Sequence, residues 1–500
     1  MAKRRRIFWV SSITTVVFTL TLSFNAWAGN YSGSPGSGQE AVKPTLKVEE
    51  ERVLAPGVKY LRVSGSTAGR EPLFVNVVEA NLSKKDVEVR PVLAADGITG
   101  KENLSSIAAR TGAVAAVNGS FFSTTSPYLP VGNLVIDGKY LALSEMLRTS
   151  MGIFKNGSVK FGYFRPGMML RISGVEQEIS ITNVNRLASA QDVVLYTPHW
   201  GATAGTGQGE DLVSLVRGSD GRLVVQERAA GTISIPPNGY ALRLPSELAG
   251  AFWTGGVVEL KAATDSYWSG VKHLLTSGPL LVENGEPVFQ AVAEGFTGTV
   301  LERNPRTAVG VTKDGKMLLA VVDGRSEKSV GVTLEELAYI MTDLGAYQAM
   351  GLDGGGSTEM WVQGKIVNQP SGGSERPLNN GLVVLTGIPV YLDGDRLFFD
   401  VPPQLINGRT LVPFRRIFEA LGAQVQYDAA TRMVTAVKEG RTVQFTGGAK
   451  QALVNGETVA LDVPAREING RTLVPLRFAG TALGVEVVWT KDATVEIHTK

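Results

Sequence analysis

Three uninterrupted apolar runs, each ending in an Asn or Asp followed by glycine, constrain the fold of this chain more than any other feature. Ala113-Val114-Ala115-Ala116-Val117 leads into Asn118-Gly119-Ser120-Phe121-Phe122. Met317-Leu318-Leu319-Ala320-Val321-Val322 leads into Asp323-Gly324-Arg325-Ser326, and Ala349-Met350-Gly351-Leu352 into Asp353-Gly354-Gly355-Gly356-Ser357-Thr358. A strand with one face in water alternates apolar and polar residues. These runs do not alternate, so each reads as a strand covered on both faces. Sheets of that kind present their sites at strand ends, where the polar residues and glycines fall.

Between the second and third runs, Thr333 and Glu336 form a capping box. Leu334, Leu337, Ala338, Met341 and Leu344 make one helical stripe, stopped by Gly345. Strand, helix and strand at this spacing predict a crossover unit with parallel strands, which brings Asp323 and Asp353 to one end of a sheet. Two carboxylates there, with Arg325 two positions after the first, make a candidate acid/base site. The glycine triplet admits two readings, a nest of backbone N–H groups for an anion or a plain tight turn. Arg306 opens a further strand, and arginine grips a phosphate diester through paired hydrogen bonds where lysine cannot. Read alone, Arg306 and Arg325 are more often surface ion-pair partners, and Ser277-Gly278-Pro279 is more often a simple loop. Core packing is the expected role of Trp253 and Trp268, and a structural role that of His199.

The ends of the chain carry different signals. Lys3, Arg4, Arg5 and Arg6 precede an uncharged apolar run from Ile7 to Phe24 and the small-residue site Ala26-Trp27-Ala28. This is the pattern of a signal peptide, with an uncleaved anchor as the competing reading. Cleavage after Ala28 removes those four positive charges and no acidic residue, moving the formal charge from +2 to −2. A near-neutral chain is no electrostatic trap for nucleic acid or an anionic membrane. The chain has no cysteine, which excludes thiolate zinc sites and thiol nucleophiles, and its three histidines show no ligand spacing. No metal is expected in the site and no cofactor, a divalent cation being left open.

From Ile388 the texture becomes an internal repeat. Ile406-Asn407-Gly408-Arg409-Thr410-Leu411-Val412-Pro413 recurs as Ile468-Asn469-Gly470-Arg471-Thr472-Leu473-Val474-Pro475. Asn-Gly predicts a tight hairpin. Phe414, Ile417, Phe418 and Leu421 then form one helical face ended by Gly422, as Leu476, Ala479 and Leu483 do before Gly484. Neither half has much core of its own, so the two are expected to pack as one domain. The pattern closely resembles the copper amine oxidase N-terminal, or stalk, domain.

In the middle of the chain NGSFF, SGPLLVENGE, RTAVG, VVDGRS, GVTLEELA and LDGGGST occur in an order that resembles the phosphodiester glycosidase family, the uncovering enzymes among them. The resemblance implies hydrolysis of a sugar–phosphate diester to free sugar and a phosphomonoester. Carried over residue by residue, it implies Asp323, Asp353, Arg325 and Arg306 as catalytic residues. Asn118, Gly119, Ser277, Gly278, Thr307, Gly324, Gly354, Gly355, Gly356 and Ser357 would surround the substrate. Glu359 stands where relatives are expected to have a small or apolar residue, so its carboxylate reads as incidental.

The expected organisation is α+β: a leader at 1–28, a flexible spacer at 29–52, and a strand-rich mixed-sheet catalytic domain at 53–387 with a β-rich subdomain at about 200–270. A small α+β repeat module at 388–500 follows. The expected function is that of a secreted or cell-surface hydrolase of sugar-1-phosphodiesters in cell-wall or exopolysaccharide material. Its partners would be a carbohydrate or sugar-phosphate substrate and, through the C-terminal module, cell-wall polymer. Neither nucleic acid nor, after cleavage, membrane is expected. The alternative is a non-catalytic polysaccharide-binding surface protein. A nucleotide-binding protein fits poorly, since the glycine triplet lacks the lysine of a P-loop.

Overall fold

Five elements position the strand ends singled out above: β1 (Ala115–Asn118), β2 (Arg306–Thr312), β3 (Lys316–Val322), α1 (Leu334–Asp343) and β4 (Ala346–Gly351). The structure is a computed structural model that describes residues 43–500 apart from 96, 177, 188, 190, 208, 491, 492 and 500. The signal-peptide reading therefore lies outside the described residues, as does the spacer up to residue 42. The later part of that spacer is corrected: Thr45–Ala55 is a strand paired antiparallel with Val58–Ser66. Its residues are mostly exposed and include Lys47, Glu49, Glu50, Glu51 and Arg52, the chemistry of an edge strand, and that composition hid it among linker-like residues.

The chain is mostly β, and its longest described helix is the ten residues of α1. One eight-stranded sheet runs Thr45–Ala55, Val58–Ser66, Pro72–Asn81, β3, β2, β4, Leu280–Glu283 and Glu286–Pro287. Both β3 and β4 lie antiparallel to β2, so they are parallel to each other with β2 between them. The crossover through α1 gives this arrangement, and its N-terminus carries the capping box of Thr333 and Glu336.

The unbroken apolar runs follow from two cores, one on each face of this sheet. Leu318, Ala320 and Val322 of β3 pack with Leu337, Ala338, Ile340 and Met341 of α1. Met317, Leu319 and Val321 face the other way, onto Val117 of β1 and Leu382 and Val384. Those belong to a five-stranded sheet ordered Lys365–Ile366, Met360–Val362, β1, Asn380–Thr386 and Val87–Leu93. Helix, sheet and sheet thus stack in layers, with alternate residues of one strand serving different cores. The β-rich subdomain is a second eight-stranded sheet that draws its strands from Gly167–Ile172 through Val257–Ala263, starting upstream of residue 200. Trp268 is buried as expected, but Trp253 is not a core residue: it is 49% exposed.

In the C-terminal module both Asn-Gly pairs turn hairpins in the left-handed region, with φ of 51° and 71° at Asn407 and Gly408. The two repeats join through antiparallel pairing of Arg409–Pro413 with Arg471–Pro475, and Phe414, Ile417, Phe418, Ala479 and Leu483 share one core. The module packs directly on the preceding part of the chain. Gly112 approaches so closely that a Cβ there would meet the Phe399 carbonyl at 1.9 Å. Arg396 joins Arg90 and Lys272 around Glu88 at 3.3, 3.5 and 3.0 Å. Burial opposes ionisation of Glu88, but Arg396, Arg90 and Lys272 hold its carboxyl well below the usual range.

Candidate active site

The end of β1 is fastened to the other strand ends by one buried amide. Asn118 Nδ2 donates to the Asp353 carbonyl at 2.6 Å, while its Oδ1 accepts from Thr307 Oγ1 at 2.6 Å and from the Glu359 N–H at 3.1 Å. The Asp353 N–H donates to the Gly119 carbonyl at 3.1 Å, so the backbone of Asp353 is held from both sides. Gly119 is required there, because a Cβ would fall 1.9 Å from Asn380 Oδ1. Asp353 Oδ1 accepts the Gly354 N–H at 2.9 Å. Burial pushes the carboxyl up to about 6, against the pull of the Ser357 hydroxyl and Arg376.

Two N–H groups of the glycine triplet are engaged within the protein. The Gly354 N–H is spent on Asp353 and the Gly355 N–H on the Pro305 carbonyl at 2.9 Å. The Cβ positions of the glycines locate two guanidinium groups beside the turn. A Cβ on Gly355, whose φ is +61°, would lie 3.4 Å from Arg325 Nη2, and one on Gly356 would lie 3.5 Å from Arg376 Nη1. Two guanidinium groups therefore stand over the turn that follows Asp353. Arg325 is exposed and donates to Asn304 Oδ1 at 2.7 Å. Arg376 is half-buried, donates to Ser357 Oγ at 3.3 Å and lies over the Phe122 ring at 5.6 Å.

The other sequence-derived candidates lie around this centre. Arg306 is buried, and its Nε and Nη2 donate to the carbonyls of Val332 at 3.1 Å, Val300 at 2.7 Å and Glu302. It holds the loop beneath the glycine turn, with Nη1 4.0 Å from the Cβ position of Gly354. Burial pushes its guanidinium down to about 10, with Arg325 adding to the effect. Asp323 shares the sheet end with Asp353, one strand further off on each side of β2, or about 10 Å at ordinary strand spacing. Its Oδ1 accepts from Asn368 Nδ2 at 3.2 Å and the Gln369 N–H at 2.9 Å, and burial raises it. Gly324 packs against Pro305, its Cβ position 2.7 Å from that nitrogen. Ser277 and Gly278 flank β4 on its other side, the Gly278 carbonyl lying 3.1 Å from the Cβ position of Gly351.

Two residues were missed. Arg376 sits in a Gly-Gly-Ser-Glu-Arg-Pro turn with no strand before it, so nothing in its neighbourhood marked it. Glu359 is far from incidental. It is wholly buried, one carboxyl oxygen accepts the Arg376 N–H at 2.6 Å, and Oε2 has no partner among the described residues. An acidic residue inside an otherwise apolar strand start was the available signal. Burial pushes this carboxyl up to about 8, so it is protonated at neutral pH. The native state then binds the proton more tightly than the unfolded chain, whose glutamate titrates near ~4.3. Stability from this group is greatest below about 4.3 and falls as pH rises toward about 8. Glu359→Gln should fold, keep the Arg376 contact, and show a flatter dependence of melting temperature on pH between 5 and 9. A dependence as steep as the parent's would show that Glu359 is ionised throughout.

A buried carboxyl with two guanidinium groups over the turn that follows it thus stands at the strand ends of a layered β fold. Residues 215–385 match the family described as phosphodiester glycosidase, and residues 391–497 the copper amine oxidase N-terminal domain. The two matches lie in the middle and the C-terminal parts of the chain and mark what those parts are similar to. It is 34% identical over 133 residues to the SPbeta prophage-derived uncharacterized protein YomE of Bacillus subtilis, covering 26% of this chain and 20% of that protein. Over 106 residues it is 29% identical to the N-acetylglucosamine-1-phosphodiester alpha-N-acetylglucosaminidase of Mus musculus, covering 21% of this chain and 20% of the mouse enzyme. The chain thus spans about a fifth of the length of these relatives. A hypothetical protein from Synechocystis shares the fold, with a TM-score of 0.60 at 22% identity over 68% of this chain and 64% of that one.

Proposed function

We propose that the protein is a secreted hydrolase that cleaves the C1–O bond of a sugar-1-phosphodiester in cell-wall or exopolysaccharide material. One observation carries this reading: the buried Asp353 carboxyl stands at the start of a glycine turn over which Arg325 and Arg376 both lie. Cleavage builds positive charge on the sugar ring and leaves an anionic phosphomonoester. That leaving group needs little protonation, so the demand falls on charge stabilisation, which guanidinium groups provide. Asp353 activates water, which adds to C1 while the bonding pair leaves with the phosphate oxygen. As nucleophile it would instead form a glycosyl ester that water then opens. The mouse relative's name points to N-acetylglucosamine as the sugar.

Export rests on the leader at 1–28. Retention on wall polymer falls to the C-terminal module, where a cavity of about 720 Å³ is lined by Phe398, Phe414, Tyr427, Arg415 and Arg416. Aromatic faces and guanidinium groups are the surfaces that saccharide chains use. The reaction as written calls on no cofactor. The test is incubation of the purified protein with a panel of sugar-1-phosphate diesters, with and without chelator. Free sugar and phosphomonoester in equal amounts are expected. Binding without product would instead identify a polysaccharide-binding surface protein.

A further inference from the structure

Arg148 lies next to the site and has no ion-pair partner among the described residues. Its stem starts at Gly278, whose Cβ position is 3.4 Å from Arg148 Cβ, and Gly278 in turn abuts Gly351, two residues before Asp353. Its guanidinium lies 4.0 Å over the Phe296 ring and 5.5 Å from that of Phe121, and the two rings are 5.7 Å apart. Phe121 follows Gly119, which accepts the Asp353 N–H, by two residues. Arg148 is therefore linked to the segments that flank Asp353, through Gly278 on one side and Phe121 on the other.

Its only described hydrogen bond is from Nε to the Glu294 carbonyl at 3.3 Å. The Glu294 carboxylate is already committed to the Thr149 N–H and Oγ1, each at 2.7 Å, and to the Leu280 N–H at 2.8 Å. A second observation is independent of Arg148. Ser277, 2% exposed, donates its N–H to the Thr149 carbonyl, yet its buried Oγ has no partner among the described residues. Ser277 bonds to the residue after Arg148 and precedes Gly278, which abuts Arg148, so an unpartnered hydroxyl and a guanidinium packed near two rings sit on neighbouring residues, chemistry that suits an acceptor.

We propose that Arg148 and Ser277 form a second anion subsite, selecting sugar-1-phosphodiesters that carry a further negative group besides the bond to be cleaved. The inference rests on the hydrolase reading above and sharpens its substrate class. A second phosphate, as in a repeating sugar-phosphate chain, and a carboxylate on the sugar or aglycone present the same chemistry to a guanidinium.

The experiment compares kcat/KM of the parent full chain and of Arg148→Gln on three diesters of one sugar: neutral, phosphate-bearing and carboxylate-bearing. The parent should favour a charged diester by roughly ten- to a hundredfold. Arg148→Gln should erase that preference while keeping the rate on the neutral diester, which also controls for folding. The charged arm that loses more identifies the anion, and Ser277→Ala should weaken the same arm. Equal loss on all three diesters, or no loss, overturns the subsite. Should the parent cleave none of them, hydrolysis itself fails. Calorimetric binding of the charged diesters then decides the subsite, and equal affinity of parent and Arg148→Gln overturns it.

Discussion

Asp353→Asn should lower kcat on a sugar-1-phosphodiester by about a thousandfold or more, the usual cost of losing a catalytic carboxylate. The substitution is a clean one. Asparagine keeps an oxygen for the Gly354 N–H, and the two backbone bonds that fix position 353 do not involve the side chain. Circular dichroism and melting temperature should therefore stay at the parent's values or rise, since the native state no longer carries a carboxylate whose ionisation burial opposes. The parent's pH profile supplies a second reading. A base works when ionised, and burial holds this one up to about 6, so kcat/KM should climb through pH 6 and be lost as pH falls below it. Asp323→Asn separates the two candidates, because Asp323 Oδ1 is engaged by Asn368 and Gln369 at the side of the site. It should cost less than about tenfold. The reverse ranking would move the chemistry to Asp323, and full activity in both variants would remove carboxylate catalysis from this sheet end.

Arg306→Ala should act on stability first, by about 3 kcal/mol, and on activity through it. Three backbone carbonyls, from Val300, Glu302 and Val332, take their hydrogen bonds from this one buried guanidinium. Each bond is worth about 1 kcal/mol net, and three are lost together. The loop so released carries Pro305, whose carbonyl holds the Gly355 N–H, so the glycine turn should loosen with it. Denaturant unfolding measures the first effect. A variant as stable as the parent that has lost activity would show instead that Arg306 contacts the phosphate directly.

Much of this protein was legible in its residues. The three apolar runs became strands because their alternate side chains enter different cores. The crossover made β3 and β4 parallel, and the Asn-Gly repeats turned as hairpins. Thr45–Ala55 was missed because an edge strand needs few apolar residues, and its run from Glu49 to Arg52 read as linker. The glycine triplet was half legible. Its flexibility is a property of the residues, whereas the direction of its N–H groups depends on Pro305, 49 residues upstream in sequence but adjacent in space.

By itself the sequence determined which segments had to be buried and where chain direction had to reverse, because hydrophobic periodicity and the φ preferences of Gly and Asn are local. Only tertiary structure decided which charged groups meet. It sent Arg306 to backbone carbonyls, brought Arg376 over the glycine turn, and enclosed Glu359 until its proton stays on at neutral pH. Charge pairing and desolvation depend on distances between residues far apart in the chain, and those exist only once the layers have stacked.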